Sequence, residues 1–407
     1  MATFSNDPKN EADFALYKEA QSIFKASIEA IMKGDKEAFM SICTSFLSRN
    51  IHVRALDFFS EFKSEGKTLL HVAASSGHTH MVQAIFDRCE AGDHKTLCGL
   101  RDDNGFTPLM NATVSESLPL MMFLVQQGAD VNAQNKDGVA AIHFAASDGS
   151  LERMEYLVDK GAKVDLPSGG GTPLHWAAGA KNGAAAVSFI AARCNDLNAV
   201  NAHGATAVLA AAAAGYDDTV GALVNAGCDI GAIYSGNLTL LHICAENGLI
   251  NAVRAIAATP TGSKCLSIET EDGNWPIHLA AMVRNREVVA HLLPLYTQSG
   301  LMDAQKSTIE SLMEDGTIRM QAWNKKHGDN NEAKDKTDGS SSSTADLSAI
   351  NMGPAADEAS AREAEALKAT GNEHYKLKEY EQAIAAYTRA LEKQGDNKAV
   401  WSNRSAC

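Results

Sequence analysis

The chain has 407 residues, 45% of them hydrophobic and 21% charged, with a formal net charge of −14. That length suits two or three domains, and the acidic balance excludes a surface built to track phosphates, so neither nucleic acid nor an anionic membrane is expected as a direct partner. The eight cysteines, Cys43, Cys89, Cys98, Cys194, Cys228, Cys244, Cys265 and Cys407, are dispersed without a CxxC pair, which is reduced, intracellular usage rather than a disulfide framework.

The first residues, MATFSNDP, lack a basic start and an apolar core, so no secretory leader is expected. Residues 12–48 read as two helices around a turn at Gly34 and Asp35. Ile23, Ile28, Ile31 and Met32 precede the turn, and Phe39, Met40, Ile42 and Phe46 follow it. Spacings of three and four give each helix one apolar face.

A seven-residue block then recurs seven times: KTLLHVA at 67–73, FTPLMNA at 106–112, VAAIHFA at 139–145, GTPLHWA at 171–177, ATAVLAA at 205–211, LTLLHIC at 238–244 and NWPIHLA at 274–280. Its second residue falls at 68, 107, 140, 172, 206, 239 and 275, giving intervals of 39, 33, 32, 34, 33 and 36. Each block predicts a short helix. Threonine in second place can cap it by accepting a first-turn N–H, and proline behind it sits where no donor is needed. Small residues follow for close packing, with Cys244 in one of the alanine slots. A glycine such as Gly77, Gly149, Gly215 or Gly248 then makes the turn to a second, apolar-striped helix. The first interval carries six extra residues within 88–100 and the last carries three within 259–269, and both insertions are expected to be loops. The fifth block has lost Pro and His and is nearly all alanine, yet alanine's propensity still predicts a helix. Its apolar run, 205–214, is too short to span a bilayer.

After Tyr296 the period stops. Leu301, Ile309, Leu312, Met313 and Ile318 keep helical spacing, and 301–323 is expected to cap the stack. Residues 327–359 are dominated by polar residues and serine and read as a disordered linker.

A period near 33 carrying Thr-Pro-Leu-His-x-Ala resembles the ankyrin repeat. The resemblance implies an all-α solenoid of helical hairpins with β-turn fingers, a concave binding face and no built-in chemistry. The expected layout is an N-terminal helical cap over 1–58, seven repeats over 59–296, capping helices over 297–326, the linker over 327–359 and a separate segment over 360–407. In that fold the block histidines, His71, His143, His175, His242 and His278, bond to neighbouring backbone and are structural rather than metal ligands. Finger tips and the ends of first helices line the concave face of ankyrin proteins. Here those places hold Asp103, Asn104, Phe106, Lys136, Ser147, Asp148, Asn274 and Arg284 as interaction candidates.

From residue 361 another pattern appears: Gly371 and Asn372, then Tyr375, Tyr380, Ala383, Tyr387 and Ala390, with Val400, Trp401 and Asn403 opening a second unit. It resembles the 34-residue tetratricopeptide (TPR) repeat, with Gly395 where proline is usual. Lys368 and Asn372 lie at i and i+4, and Asn403 lies 31 residues later. These three resemble the dicarboxylate clamp of TPR co-chaperones, which grip the acidic C-terminus of heat-shock chaperones. A terminal carboxylate needs such fixed ammonium and amide donors. The family's remaining Lys and Arg come from a third repeat that would lie past Cys407, so the chain is expected to be a fragment or a shortened form, with weak clamp binding.

Together the two patterns resemble plant ankyrin–TPR proteins. The resemblance implies a monomeric cytosolic adaptor, with access to the nucleus, whose C-terminal segment recruits a heat-shock chaperone and whose ankyrin stack holds a client. The rivals are a plain ankyrin scaffold in signalling or transcription and a regulatory subunit of an enzyme. No nucleophile elbow and no Cys/His nucleophile arrangement appears, so the chain is not expected to be an enzyme. His78 and His80 form the one close histidine pair, without the further ligands a metal needs. Gly169, Gly170, Gly171 and Thr172 mimic a phosphate loop but lack its lysine. No metal or cofactor is therefore expected.

Overall fold

The computed structural model describes residues 11–51, 53–63, 66–303 and 306–327. The expected linker and the TPR-like segment lie outside the described residues. The chain divides into compact units at residues 1–345 and 346–407, and the described residues belong to the first.

The N-terminal pattern forms the hairpin α1 (Glu11–Lys33) and α2 (Lys36–Arg49). Asp35 caps α2 by accepting the Ala38 N–H at 2.9 Å. The buried face consists of Ala20, Phe24, Ser27, Ala30 and Ile31 on α1 with Phe39, Cys43 and Phe46 on α2. Met32 is 64% exposed, so that face is centred further back along α1 than the apolar residues suggested. A short α3 (Ala55–Glu61) adds Phe58, whose ring lies 5.1 Å from that of Phe46. Because α1 packs on the first repeat's inner helix and α2 on its outer helix, the hairpin continues the stack as a terminal unit must.

Each block forms an inner helix and is followed by an outer one. The pairs are α4 (Leu69–Ser75) with α5 (Thr79–Phe86), α7 (Pro108–Val114) with α8 (Leu118–Gln126), α9 (Ala141–Ser147) with α10 (Leu151–Asp159), α11 (Pro173–Ala178) with α12 (Ala184–Ala191), α13 (Ala207–Ala213) with α14 (Asp217–Asn225), α15 (Leu240–Glu246) with α16 (Ile250–Ala257), and α18 (Pro276–Met282) with α19 (Arg286–Gln298). Inner helices stack on inner helices and outer on outer. Ala145, Ala177, Ala211, Cys244 and Ala280 are completely buried at the inner seams, where a larger side chain would hold the helices apart.

The two insertions are not loops. The first holds α6 (His94–Cys98), which buries Leu97 and Cys98, and the second holds α17 (Pro260–Cys265), which leads into buried Cys265 and Leu266. Both carry apolar side chains that a helical turn delivers to the core while satisfying its own backbone.

Helix capping departs from expectation in a regular way. Thr107 and Thr206 do accept from Met110 and Leu209 N–H, each at a long 3.4 Å. In blocks that carry histidine, the imidazole bonds the cap residue's own N–H. Nδ1 of His143, His175, His242 and His278 accepts the N–H of the second block residue, at 3.0, 3.2, 3.1 and 3.1 Å. The threonine hydroxyl of Thr68, Thr172 or Thr239 rests against the same nitrogen. Nε2 then reaches a carbonyl of the next repeat: His71 to Phe106, His143 to Leu166, His175 to Ala205 and His242 to Asn274, at 2.9–3.2 Å. A carbonyl only accepts, so the proton sits on Nε2 and Nδ1 is the acceptor. Burial pushes all five imidazoles below the usual histidine range, His143, His242 and His278 to about 4. His71, His143, His175 and His242 are structural pins between repeats.

Gly77, Gly149, Gly215 and Gly248 take the left-handed conformation at the inter-helix turn, with φ between 68° and 77°. Glu116 (φ 57°) and Arg284 (φ 59°) hold the same place without glycine, at a steric cost.

The stack closes with α20 (Ile309–His327), which lies across α18. The approach is close enough that a Cβ on Gly316 would come within 2.4 Å of the Ala281 carbonyl carbon. Leu312 is buried, but Ile318 is 64% exposed, so the cap's apolar face is narrower than its periodicity suggested.

Candidate functional site: the finger-side face of repeats 2 to 4

Three of the fingers are organised by one side chain at the base. Asp102 accepts the N–H groups of Asn104 and Phe106 at 2.9 and 2.8 Å. Asn135 does the same for Asp137 and Val139, and Asn201 for His203 and Ala205. Such turns hold the tip rigid without a strand ladder. Only the sixth repeat's finger has paired strands, β1 (Ile233–Tyr234) against β2 (Leu238–Thr239), among the described residues.

Neighbouring fingers bond to one another. Lys136 N–H donates to the Asn104 carbonyl at 3.1 Å, and Gly169 N–H to the Asp137 carbonyl at 3.0 Å. Gln134 Nε2 donates to the Pro167 carbonyl at 2.9 Å, and Arg101 Nη1 to that of Gln134 at 2.6 Å. Gly105 and Gly138 permit this: each has positive φ, and a Cβ on either would meet the next finger's backbone at 3.0 Å. The glycine run before Thr172 is thus finger backbone in contact with its neighbour, as Gly169 shows.

Beneath these fingers lies a ladder of half-buried rings. Phe106 and Phe144 are 5.6 Å apart between centroids, and Phe144 and Trp176 are 5.8 Å apart, edge to face. Trp176 Nε1 donates to Ser168 Oγ of its own finger at 3.1 Å, which fixes the indole. Phe144 and Trp176 occupy the sixth place of their blocks. Asn111 occupies that place in the preceding repeat, where it is 6% exposed and its Nδ2 has no hydrogen-bond partner.

The sequence candidates divide. Asp103, Asn104 and Lys136 are exposed at adjoining finger tips, with Phe106 half-buried below them. Ser147 and Asp148 are exposed at the end of α9, one turn beyond Phe144. Asp148 pairs with buried Arg153 at 3.1 Å, and Arg153 also donates to the Thr113 carbonyl at 2.9 Å. Burial pushes the Asp148 carboxyl up, and Arg153 works against that rise. One candidate is corrected. Asn274 is buried: its carbonyl accepts from His242 and its Oδ1 takes Arg319 of α20 at 2.9 Å. Arg284 is exposed just past the end of α18, at the turn to α19. Phe144, Trp176 and Asn111 were not among the sequence candidates, although the variable sixth place of the block marks them.

His78 and His80 donate to the Ile31 and Gly34 carbonyls at 3.0 and 3.2 Å, tying the first repeat to the N-terminal hairpin. Among the described residues no group of three or more His, Cys, Asp or Glu is placed to hold a metal ion. Burial pushes the Cys43 thiol up to about 11 and Cys89, Cys98 and Cys228 to about 12, so these thiols stay protonated near neutrality. No helix among the described residues is long and apolar enough to cross a membrane.

Curated proteins share this pattern over part of their length. The chain is 28% identical over 197 residues to neurogenic locus notch homolog protein 1 of Xenopus tropicalis, covering 44% of this chain and 8% of that protein. It is 35% identical over 117 residues to the nuclear factor NF-kappa-B p105 subunit of Mus musculus, covering 28% and 12%. It is 25% identical over 237 residues to the NF-kappa-B inhibitor delta of Mus musculus, covering 56% and 68%. The chain therefore spans about a tenth of the first two relatives and two thirds of the third. The family model described as ankyrin repeats (3 copies) matches residues 28–135, 115–201 and 208–303, beginning inside α1. With that match over most of its length and a histidine-pinned stack of helical hairpins, the chain belongs to the ankyrin-repeat family.

Proposed function

We propose that the chain is a non-catalytic protein-interaction scaffold whose finger-side face, centred on repeats 2 to 4, grips a segment of a partner protein. The observation that carries this reading is the Phe106–Phe144–Trp176 ladder, half-buried beneath rigid fingers. Aromatic side chains offer large contact area at little entropic loss, and they dominate binding energy where they cluster. The relatives named for NF-kappa-B support a signalling scaffold working in the cytoplasm or nucleus. Affinity capture with the whole chain tests the reading. Partners recovered by the native chain should be lost when Phe144 and Trp176 are both changed to alanine. Recovery of the same partners by both forms would place binding elsewhere.

A second activity is carried by Lys368, Asn372 and Asn403, at the spacing of a carboxylate clamp. On this reading the TPR-like segment recruits a heat-shock chaperone while the ankyrin stack holds the client. A form extended past residue 407 should bind peptides ending in a free acidic C-terminus more tightly than this chain does. Lys368→Ala in that form should remove a charge-assisted contact of about 1.5–3 kcal/mol, roughly tenfold or more in affinity. Calorimetry with free-acid and amidated peptides decides the matter: equal affinity for the two would sink the clamp.

A further inference from the structure

The fingers do not hold one another evenly. Main-chain bonds join the fingers of repeats 2 and 3 and of repeats 3 and 4, and Glu271 N–H donates to the Gly236 carbonyl at 3.0 Å between repeats 6 and 7. The equivalent donors in repeats 5 and 6 belong to Ala202 and Ser235. Both residues are exposed, and among the described residues neither N–H bonds to the preceding finger.

The side chains break off at the same place. Arg101, Gln134, Pro167, Val200 and Ile233 hold one position in five successive fingers, 33 residues apart. Arg101 and Gln134 each donate to a carbonyl of the next finger, whereas proline, valine and isoleucine have no side-chain donor. These three are exposed instead, Val200 by 61% and Ile233 by 60%.

Charge stops there too. The fingers of repeats 4, 5 and 6, at 166–172, 199–206 and 232–239, contain no Asp, Glu, Lys or Arg. The fingers on either side carry Lys136 and Asp137, and Glu269, Glu271 and Asp272. At the bases of the uncharged fingers stand Lys163, Asp165, Arg193, Asp196 and Asp229, of both signs, so neither sign of ligand charge is favoured. A charged side chain laid on the strip would lose water without meeting an opposite charge. Interface cores are depleted of charge in the same way. A second copy is a poor occupant, because each chain carries a formal net charge of −14.

We infer that the fingers of repeats 4 to 6 form a second docking surface, which takes an extended, uncharged segment of a partner protein. Apolar side chains of the segment rest on Pro167, Val200 and Ile233. Its main-chain carbonyls accept from the Ala202 and Ser235 N–H groups, as a strand added to an edge does. The surface starts at the finger over Trp176 and runs away from the aromatic ladder, so it does not require the ladder to bind.

Display of random linear peptides against the whole chain tests this. Selected peptides should be uncharged, with apolar residues at alternate positions. Val200→Glu/Ile233→Glu should weaken the selected peptide at least about tenfold with an unchanged melting temperature. Should the glutamates unfold the chain, Val200→Ser/Ile233→Ser carries the same test. Exchange of the Ala202 and Ser235 amides should slow when the peptide is added. Selection of charged peptides alone, selection of none, affinity indifferent to the substitutions, or unchanged exchange at both amides overturns the inference. So does a dimer that the same substitutions dissociate, since a second copy would then cover the strip. Peptides lost with Phe144→Ala/Trp176→Ala but kept by Val200→Glu/Ile233→Glu belong to the ladder; they overturn the inference and leave the scaffold reading standing.

Discussion

His242 joins two repeats through one ring: Nδ1 accepts the Thr239 N–H at 3.1 Å, and Nε2 donates to the Asn274 carbonyl at 3.2 Å. The first bond fixes the N-cap residue of α15, and the second holds the base of the next finger. Changing His242 to alanine leaves the Thr239 N–H without its acceptor and a buried carbonyl without its donor. The expected loss is about 2–4 kcal/mol, read as a shift in the urea midpoint. A change below about 0.5 kcal/mol, the range of a neutral surface substitution, would mean that the ring contributes no net cohesion.

The same pins make the stack acid-sensitive. Burial lowers these histidines in the folded state, so the unfolded chain takes up protons first as pH falls. Their stabilisation is complete above the unfolded value of about 6.5 and is lost between there and about 4. Each histidine contributes a slope of up to about 1.4 kcal/mol per pH unit. Melting temperatures at pH 7, 5.5 and 4.5 should fall in that order, and less steeply in a His143→Gln/His242→Gln variant. A flat profile, or equal slopes in both forms, would contradict the buried neutral state.

The inner seams should resist added volume. Ala177 and Ala280 are completely buried between inner helices, and leucine at either should cost about 1–3 kcal/mol by overpacking. Thermal unfolding unchanged by both substitutions would mean that these seams have slack.

Arg284 stands in left-handed conformation at φ 59°, where four other repeats use glycine. Arg284→Gly should therefore raise stability by up to about 1 kcal/mol, the relief of strain less the extra entropy of glycine. Destabilisation would show that the arginine side chain holds the turn together.

Much of this fold is legible in the sequence because each repeat is specified locally. The block with its intervals near 33 locates the inner helices, and Gly77, Gly149, Gly215 and Gly248 locate the turns. Less legible are features that depend on a neighbouring repeat. The histidine's part is one of these: Nδ1 holds the N–H of the second block residue while Nε2 reaches a carbonyl of the next repeat. The insertion around Leu97 and Cys98 becomes helical because an adjacent repeat offers a place to bury those side chains. Asn274 reads as a finger residue, but Arg319, 45 residues later, covers it. The aromatic ladder escapes sequence reading for the same reason: Phe144 and Trp176 are 32 residues apart and meet only in the stack.

The central claim is that partners bind the finger-side face of repeats 2 to 4. Hydrogen exchange of the whole chain, with and without a protein partner recovered by affinity capture, tests it most directly. The account predicts slowed exchange in the fingers at 102–106, 135–138 and 167–171 and in α9 and α11, with α8, α10 and α12 unchanged. Protection concentrated on those outer helices, with the fingers exchanging as before, would contradict it.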